Sequence, residues 1–573
     1  MRLPSTTLLL SLLIFLGPYI YVSGQTAIYS SDHVHHPIVA QHGMVGSQHH
    51  LASEAGLEIL KAGGNAVDAA VAVGFTLAVV LPRAGNLGGG GFMMIHDAST
   101  GRTRAINYRE MAPLLAHRDM YLDEEGNVDR HKLNFTHQSA GVPGTVAGLA
   151  HALETYGTMS LKEVMKPAIK LAEQGFAVTY DLSSILQRYE SRMKASPETE
   201  KIFYKGDGYY QQGELLKQKD LAWSLKRISK KGPDAFYKGE VAERLVADQK
   251  ANDGLISMED LATYEVEDVE AVSGTYRGYD IVSMPPPSSG GLHIIQMLNI
   301  LEEFPIGYLG HNTAETIHLM AEAMKFAYAD RSEHLGDPNF WEVPVDWITS
   351  KEYAASLREK IDRWKAKPSE EIKPGEPNDY ESDETTHFTV IDKAGNVVVN
   401  TYTLNFSFGN GIVAAGTGIL LNNEMSDLSA KPGVANAFGL LGGEANAVAP
   451  RKRPLSSMTP TIVLKDGKPY FATGSPGGSR IITTVLQIIM NIIDHDMNVA
   501  EASHAARIHH QWYPEVLYVE KNLNQDTQAL LRAKGHDVQY RAAMGSTHTI
   551  MLKDGLIWGA SDPRRPDGET VGY

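Results

Sequence analysis

Thr385 and Thr386 open an apolar strand directly behind a stretch composed to stay exposed. Residues 367–384 hold three prolines, one glycine and seven carboxylates, with almost no apolar side chain, which describes a surface loop. Behind it Thr386, Phe388 and Val390 alternate with Thr385, His387, Thr389 and Ile391. Lys393–Asn396 reads as a turn, and a β-branched run resumes at Val397, so two strands form a hairpin. A chain cut in front of Thr385 would leave a threonine at a new N-terminus, with a hydroxyl and an α-amine on one residue. The same residues also describe an acidic linker before an ordinary edge hairpin, and local pattern alone favours the linker.

Two further stretches carry groups suited to chemistry. A strand at Tyr470–Thr473 runs into Gly474-Ser475-Pro476-Gly477-Gly478-Ser479-Arg480 and then a long apolar helix reaching Ile493. Glycines at a helix start present free N–H groups and the positive end of the helix dipole, which suits an oxyanion. A plain strand-to-helix turn gives the same pattern. Arg109, in Asn107-Tyr108-Arg109-Glu110-Met111-Ala112-Pro113, stands where a strand leaves its sheet. That is a place for a ligand contact, or for an ion pair with Glu110 or another carboxylate.

Other chemistries are excluded or disfavoured. Glycines 88–91 follow a helix and precede a strand, the reverse of a phosphate-binding loop, so they read as close backbone approach in a core. There is no cysteine, hence no thiol nucleophile, disulfide or thiolate metal site. His33, His35, His36, His49 and His50 form a histidine-rich stretch that reads as solvated rather than metal-binding. The net charge of −16 argues against nucleic acid or an anionic membrane as partner.

The chain has 573 residues with 43% hydrophobic content, ample for a sizeable core. Residues 1–24 have the outline of a cleaved signal peptide: Arg2, an apolar run at 8–16, and small residues at 22–24. No stable membrane insertion is expected, and the location implied is periplasmic or secreted. Further elements follow from pattern: a helix from Ser53 to Leu60, a fully buried helix at 66–80, mainly helices over 140–270 with one from Leu161 to Glu173, an amphipathic helix at 293–301, a long helix at 313–329, and a glycine- and alanine-rich lid loop at 430–450.

Five motifs in order then carry a resemblance over essentially the whole chain after residue 24: Arg-Glu-Met-Ala-Pro at 109–113, Thr-Thr-His at 385–387, Thr-Tyr-Thr-Leu-Asn at 401–405, Pro-Leu-Ser-Ser-Met at 454–458, and the glycine loop at 474–480. Together they resemble the γ-glutamyltranspeptidase (glutathione hydrolase) family of N-terminal-nucleophile hydrolases. The resemblance implies an α/β (α+β) fold, a four-layer αββα sandwich. It implies self-cleavage between Glu384 and Thr385, giving a large subunit (25–384) and a small catalytic subunit (385–573) that stay together as a heterodimer. It implies Thr385 as nucleophile, Thr403 as its hydrogen-bond partner, and Gly477 and Gly478 as oxyanion donors. The glutamyl α-carboxylate is expected on Arg109, Ser456 and Ser457, and the α-ammonium on Asn405, Glu424 and Asp427. Glutathione and other γ-glutamyl compounds are the implied substrates, amino acids or peptides the acceptors, and no cofactor or metal is expected.

Two residues depart from the family pattern. Relatives with a lid place a tyrosine where this chain has Phe438, and its hydroxyl reaches the asparagine matching Asn405; a looser lid and more hydrolysis are expected here. Glu384 is charged where an uncharged residue is more usual. Two other readings stay open: a glutaryl-β-lactam acylase of the same fold, in which Glu424 and Asp427 would meet no ammonium, and a non-catalytic exported binding protein.

Overall fold

The computed structural model describes residues 33–206, 208–372 and 385–573. The leader expected at 1–24 and Glu384 lie outside the described residues. Fourteen strands build two seven-stranded sheets. In chain order they are β1 (Ile38–Ala40), β2 (Met44–Ser47), β3 (Gly90–Asp97), β4 (Arg102–Tyr108), β5 (Glu267–Glu270), β6 (Val272–Tyr276), β7 (Tyr279–Ser283), β8 (Thr386–Ile391), β9 (Val397–Thr403), β10 (Thr461–Lys465), β11 (Lys468–Thr473), β12 (His548–Lys553), β13 (Leu556–Ser561) and β14 (Glu569–Gly572). One sheet runs β14-β2-β8-β9-β3-β4-β5 and the other β1-β13-β12-β11-β10-β7-β6.

The hairpin β8–β9 lies at the centre of the first sheet, not at an edge, and all of its residues are buried. Side chains alternate across a strand, so successive residues feed different cores. Val390 and Val398 join a core with the helices α1 (His50–Lys61) and α2 (Ala66–Val80), whereas Ile391, Val397 and Val399 face Ile462, Ala472 and Ile550 of the second sheet. Val463, Phe471 and Met551 of that second sheet point the other way, onto α3 (Gly290–Leu301), α4 (Ala314–His334) and α5 (Arg480–Ile493). Helices, two stacked sheets and helices again make four layers. A strand covered on both faces needs apolar residues at nearly every position, which is why β9 begins Val-Val-Val.

Glycines 88–91 mark where backbones meet. A Cβ on Gly88 would lie 2.1 Å from the Leu420 carbonyl oxygen, and one on Gly89 would lie 2.0 Å from that of Thr403. Both obstacles are main chain, so neither can step aside.

Four local readings need correction. The helix expected to be amphipathic over 293–301 is α3, and each of its residues is buried, because it is sandwiched between the second sheet and its fellow helices. The segment from Leu161 to Glu173, expected as one helix, holds two, Leu161–Val164 and Lys166–Gln174, because Pro167 has no N–H to bond back to the Glu163 carbonyl and its ring crowds that group. The helix read as 313–329 runs on to His334. The histidine-rich stretch is only partly solvated: His35 and His36 are exposed, but His49 is buried and caps α1 by accepting from the Leu51 N–H. Burial, with His50 and Arg83 nearby, pulls the pKa of His49 down to about 3.

Candidate active site

The β8–β9 ladder pairs Thr386 with Tyr402, and one step further sets Thr385 across from Thr403. The Thr385 hydroxyl donates to Thr403 Oγ at 3.4 Å, and the Asn405 N–H donates to the same oxygen at 2.8 Å. Asn405 sits in the left-handed region at φ 75°, which asparagine tolerates better than most residues. Its side-chain amide donates to the Asn423 carbonyl at 3.0 Å and to Ser426 Oγ at 2.9 Å. The end of β9 is thereby tied to the short 3₁₀ turn Glu424–Asp427.

That turn positions the two acids. With three residues per 3₁₀ turn, side chains at i and i+3 eclipse, so Glu424 and Asp427 reach out together. Both meet Arg109, which continues from β4 and is 1% exposed. Arg109 Nη1 donates to Glu424 Oε1, Nη2 donates to Asp427 Oδ2 at 2.6 Å, and Nε donates to the Pro454 carbonyl at 3.1 Å. Glu110 lies 3.5 Å from Nη1. Burial works against the Arg109 charge, but Glu424, Glu110 and Asp427 outweigh it and raise its pKa. Burial also pushes the carboxyls up, against the pull of Arg109: Glu424 rises well above the usual range, Asp427 rises, and Glu110 reaches about 7. Glu424 Oε2 is buried with no hydrogen-bond partner among the described residues.

Ser456 and Ser457 complete this end of the pocket. The Ser456 N–H donates to the Pro287 carbonyl at 2.9 Å, and Ser456 Oγ accepts from the Met458 N–H at 3.1 Å. Gly477 (φ 132°) and Gly478 (φ 54°) lead into α5. The loop that carries them is docked on β8: a Cβ at Gly474 would meet the His387 ring at 2.3 Å. His387 is held by Thr401 and Thr389 at 2.9 and 3.0 Å, and burial keeps it neutral. It positions the loop and donates nothing to the pocket.

Thr385, Thr403, Asn405, Arg109, Glu424, Asp427, Ser456, Ser457, Gly478 and Phe438 all line one cavity of about 20 Å³, room for roughly one water. Gly477 is the neighbour just outside that lining. Phe438 closes it from the 430–450 loop, its ring edge-on to Phe406 with centroids 6.0 Å apart and an interplanar angle of 87°. The Phe438 carbonyl also accepts from Gln511 Nε2 at 3.0 Å.

Sequence reasoning missed Arg331, which lines the same cavity. On α4 it follows Met324, Ala327 and Tyr328 on the buried face, and a charge on an apolar helical stripe was the available signal. Ending that helix at 329 concealed it. Elsewhere, His318, Glu322 and His536 bring three possible metal-ligating atoms within 4.8 Å. An ammonium already holds that carboxylate: Lys325 Nζ lies 2.7 Å from Glu322. The cluster instead anchors the chain just before residue 373, because Lys325 donates to the Lys367 carbonyl at 2.5 Å.

Comparison with known proteins identifies the family. The family described as Gamma-glutamyltranspeptidase matches residues 52–572. The glutathione hydrolase proenzyme of Escherichia coli (strain K12) is 56% identical, the alignment covering 95% of this chain and 94% of that protein. A cephalosporin acylase from Bacillus halodurans superposes with a TM-score of 0.83 at 28% identity, over 97% of this chain and 99% of the other. The γ-glutamyltranspeptidase of Helicobacter pylori gives a TM-score of 0.56 at 47% identity, over 57% of this chain and 93% of that one. On the full-length family match and the identity to the E. coli protein, this chain belongs to the gamma-glutamyltranspeptidase family.

Proposed function

We propose that the chain is a self-processing γ-glutamyl hydrolase and transferase acting on glutathione and related γ-glutamyl compounds. The observation that carries this reading is the pairing of Arg109 with Glu424 and Asp427 at one end of a pocket whose other end holds the Thr385 and Thr403 hydroxyls. A cation beside two carboxylates is complementary to a zwitterion. A guanidinium matches a carboxylate through two parallel bonds, and the carboxylates match an ammonium. A γ-glutamyl group carries both charges on one carbon, three bonds from the carbonyl that must reach Thr385. The glutathione hydrolase name of the E. coli relative supports the same substrate class.

In the intact chain the Thr385 nitrogen is an amide and cannot take a proton. Attack of Thr385 Oγ on the carbonyl before it gives an ester by N-to-O acyl shift, and water hydrolyses that ester. The freed α-amine has a reference pKa of about 7.7–8.0 and serves as the general base. Thr385 Oγ then attacks the γ-glutamyl carbonyl, handing its proton to that amine. The Gly477 and Gly478 N–H groups take the oxyanion, and loss of one such donor typically costs about 10²–10³ in rate. Collapse releases the amine of the leaving group, which receives the proton, and leaves a γ-glutamyl ester on Thr385. Water or an acceptor amine attacks the ester and restores the hydroxyl.

The pocket is filled by its own ion pairs. A substrate enters by exchange: its α-carboxylate replaces Glu424 and Asp427 on Arg109, and its α-ammonium takes their released oxygens. The superposed acylase shows that the fold also serves another amide chemistry, but a glutaryl group would leave both acids unpaired. We place the mature enzyme outside the cytoplasm, as a secreted or periplasmic heterodimer of residues 25–384 and 385–573, with amino acids or peptides as acceptors.

Three outcomes test this reading. On an SDS gel the purified wild type should run as two bands, the smaller beginning Thr385-Thr386-His387, while Thr385→Ala stays uncut; a mature wild type without that N-terminus contradicts the assignment. Burial raises the pKa of Glu424 and Asp427 and pushes that of Glu110 up to about 7, so as pH falls through neutral the cluster takes up protons and its hold on the ammonium weakens. KM for a γ-glutamyl anilide should therefore rise as pH falls from about 8 to about 6, while kcat falls as the Thr385 amine protonates. A flat KM across that range contradicts the ammonium site. Finally, Phe438 offers a ring contact where a tyrosine would add a hydroxyl. Phe438→Tyr should raise the ratio of transfer to hydrolysis and lower the protease sensitivity of the 430–450 loop; no change in either would refute a role for Phe438 in admitting water.

A further inference from the structure

Arg331 is a buried guanidinium whose hydrogen-bond partners among the described residues are hydroxyls. Its Nε donates to Ser289 Oγ at 3.0 Å and its Nη2 donates to Ser457 Oγ at 3.3 Å. No carboxylate oxygen among the described residues lies within 4.0 Å of its nitrogens, although Asp427 acts on it from further away and Arg109 opposes it. A buried cation without a counter-ion is costly, and burial drags the pKa of this one down to about 10. Arg331 nevertheless lines the cavity beside Ser456 and Ser457.

The hydrogen bonds have a direction. A guanidinium only donates, so Ser457 Oγ accepts from Arg331 and its own proton is left to point elsewhere. Ser456 is treated alike: its Oγ accepts from the Met458 N–H, and its carbonyl accepts from both the Ser289 hydroxyl and the Ser289 N–H at 2.8 Å. Arg331 thus fixes Ser457 directly and Ser456 through Ser289. Both serine hydroxyls keep a free proton facing a pocket where an anion is expected.

We propose that Arg331 is the second cation of the γ-glutamyl pocket: a positioning residue that turns the Ser457 hydroxyl toward the substrate α-carboxylate and adds a second positive charge beside that of Arg109. With substrate bound, Arg109 holds the carboxylate directly, while Arg331 acts on it through Ser457 and through space. This rests on the γ-glutamyl reading above and adds to it a residue with no role in the exchange described there.

The test compares two anilides in wild type, Arg331→Gln and Arg331→Lys: the γ-glutamyl anilide and the 4-aminobutyryl anilide, which lacks only the α-carboxylate. Each protein is first checked for two fragments on a gel and for its Tm. Arg331→Gln should raise KM for the γ-glutamyl substrate at least about 30-fold, with kcat changed far less, since a hydrogen bond to a charged group is lost. It should also shrink the preference for the γ-glutamyl over the 4-aminobutyryl substrate by a similar factor, and Arg331→Lys should restore part of it. A purely structural role would penalise both substrates equally, and that result overturns the proposal. If Arg331→Gln does not mature, Arg331→Lys decides: reduced preference supports the proposal, and an unchanged preference overturns it. A wild type that matures but leaves the γ-glutamyl anilide intact overturns the functional reading and the proposal together, whereas normal wild-type turnover with unchanged variant selectivity overturns the proposal alone.

Discussion

Keeping a guanidinium charged at 1% exposure is costly unless partners meet its charge, and the pocket is organised around meeting that requirement for Arg109. Glu424 and Asp427 meet it from one 3₁₀ turn, and the Pro454 carbonyl from the loop that also carries Ser456 and Ser457. Two loops distant in sequence are therefore pinned to the end of β4 by a single side chain. The same pairing leaves a cavity of only about 20 Å³. On the proposed reading, recognition is an exchange of ion pairs inside a buried site, and a ligand that offers one charge but not the other leaves a buried group unmatched. Breaking a buried pair by removing one partner typically costs about 3–5 kcal/mol, so discrimination against such ligands follows from the geometry itself.

Thr385, the proposed nucleophile, is placed by register rather than by a loop. Thr385 extends the central β8–β9 ladder, both strands are buried on both faces, and Thr403 is its cross-strand neighbour. A sheet centre is the stiffest part of a sandwich, and sites built on such elements hold their geometry better than sites on loops. The glycine loop at 474–480, the proposed oxyanion donor, is docked on the same strand through the Gly474–His387 contact. The charge-reading end, in contrast, sits on connections between elements, where side chains can rearrange as substrate enters.

Much of this was legible in the sequence. The alternation from Thr385 to Ile391 with the turn at 393–396 gives the hairpin, and the reversed order of helix, glycines and strand at 66–97 excludes a phosphate loop. Residues close in sequence define such features. What stayed hidden depends on the third dimension. Helix 290–301 looked amphipathic because local pattern does not show that a second layer covers its polar positions. His49 looked solvated because nothing nearby reveals that it caps α1. Arg331 escaped because its meaning lies in Ser289 and Ser457, one before it in the chain and one well after. Arg109 was left between a ligand contact and an ion pair; in the structure it makes the ion pair, with Glu424 and Asp427.

The most direct test of this account is the ratio of kcat/KM for a γ-glutamyl anilide to that for the glutaryl anilide, which differs only by loss of the α-amine. Pairing of Glu424 and Asp427 with the ammonium predicts a ratio of at least about 100, the lower end of what an unmatched buried charge costs. Comparable values for the two substrates would contradict the account, because the two acids would then have no part in recognition and the pocket would be reading a carboxylate alone.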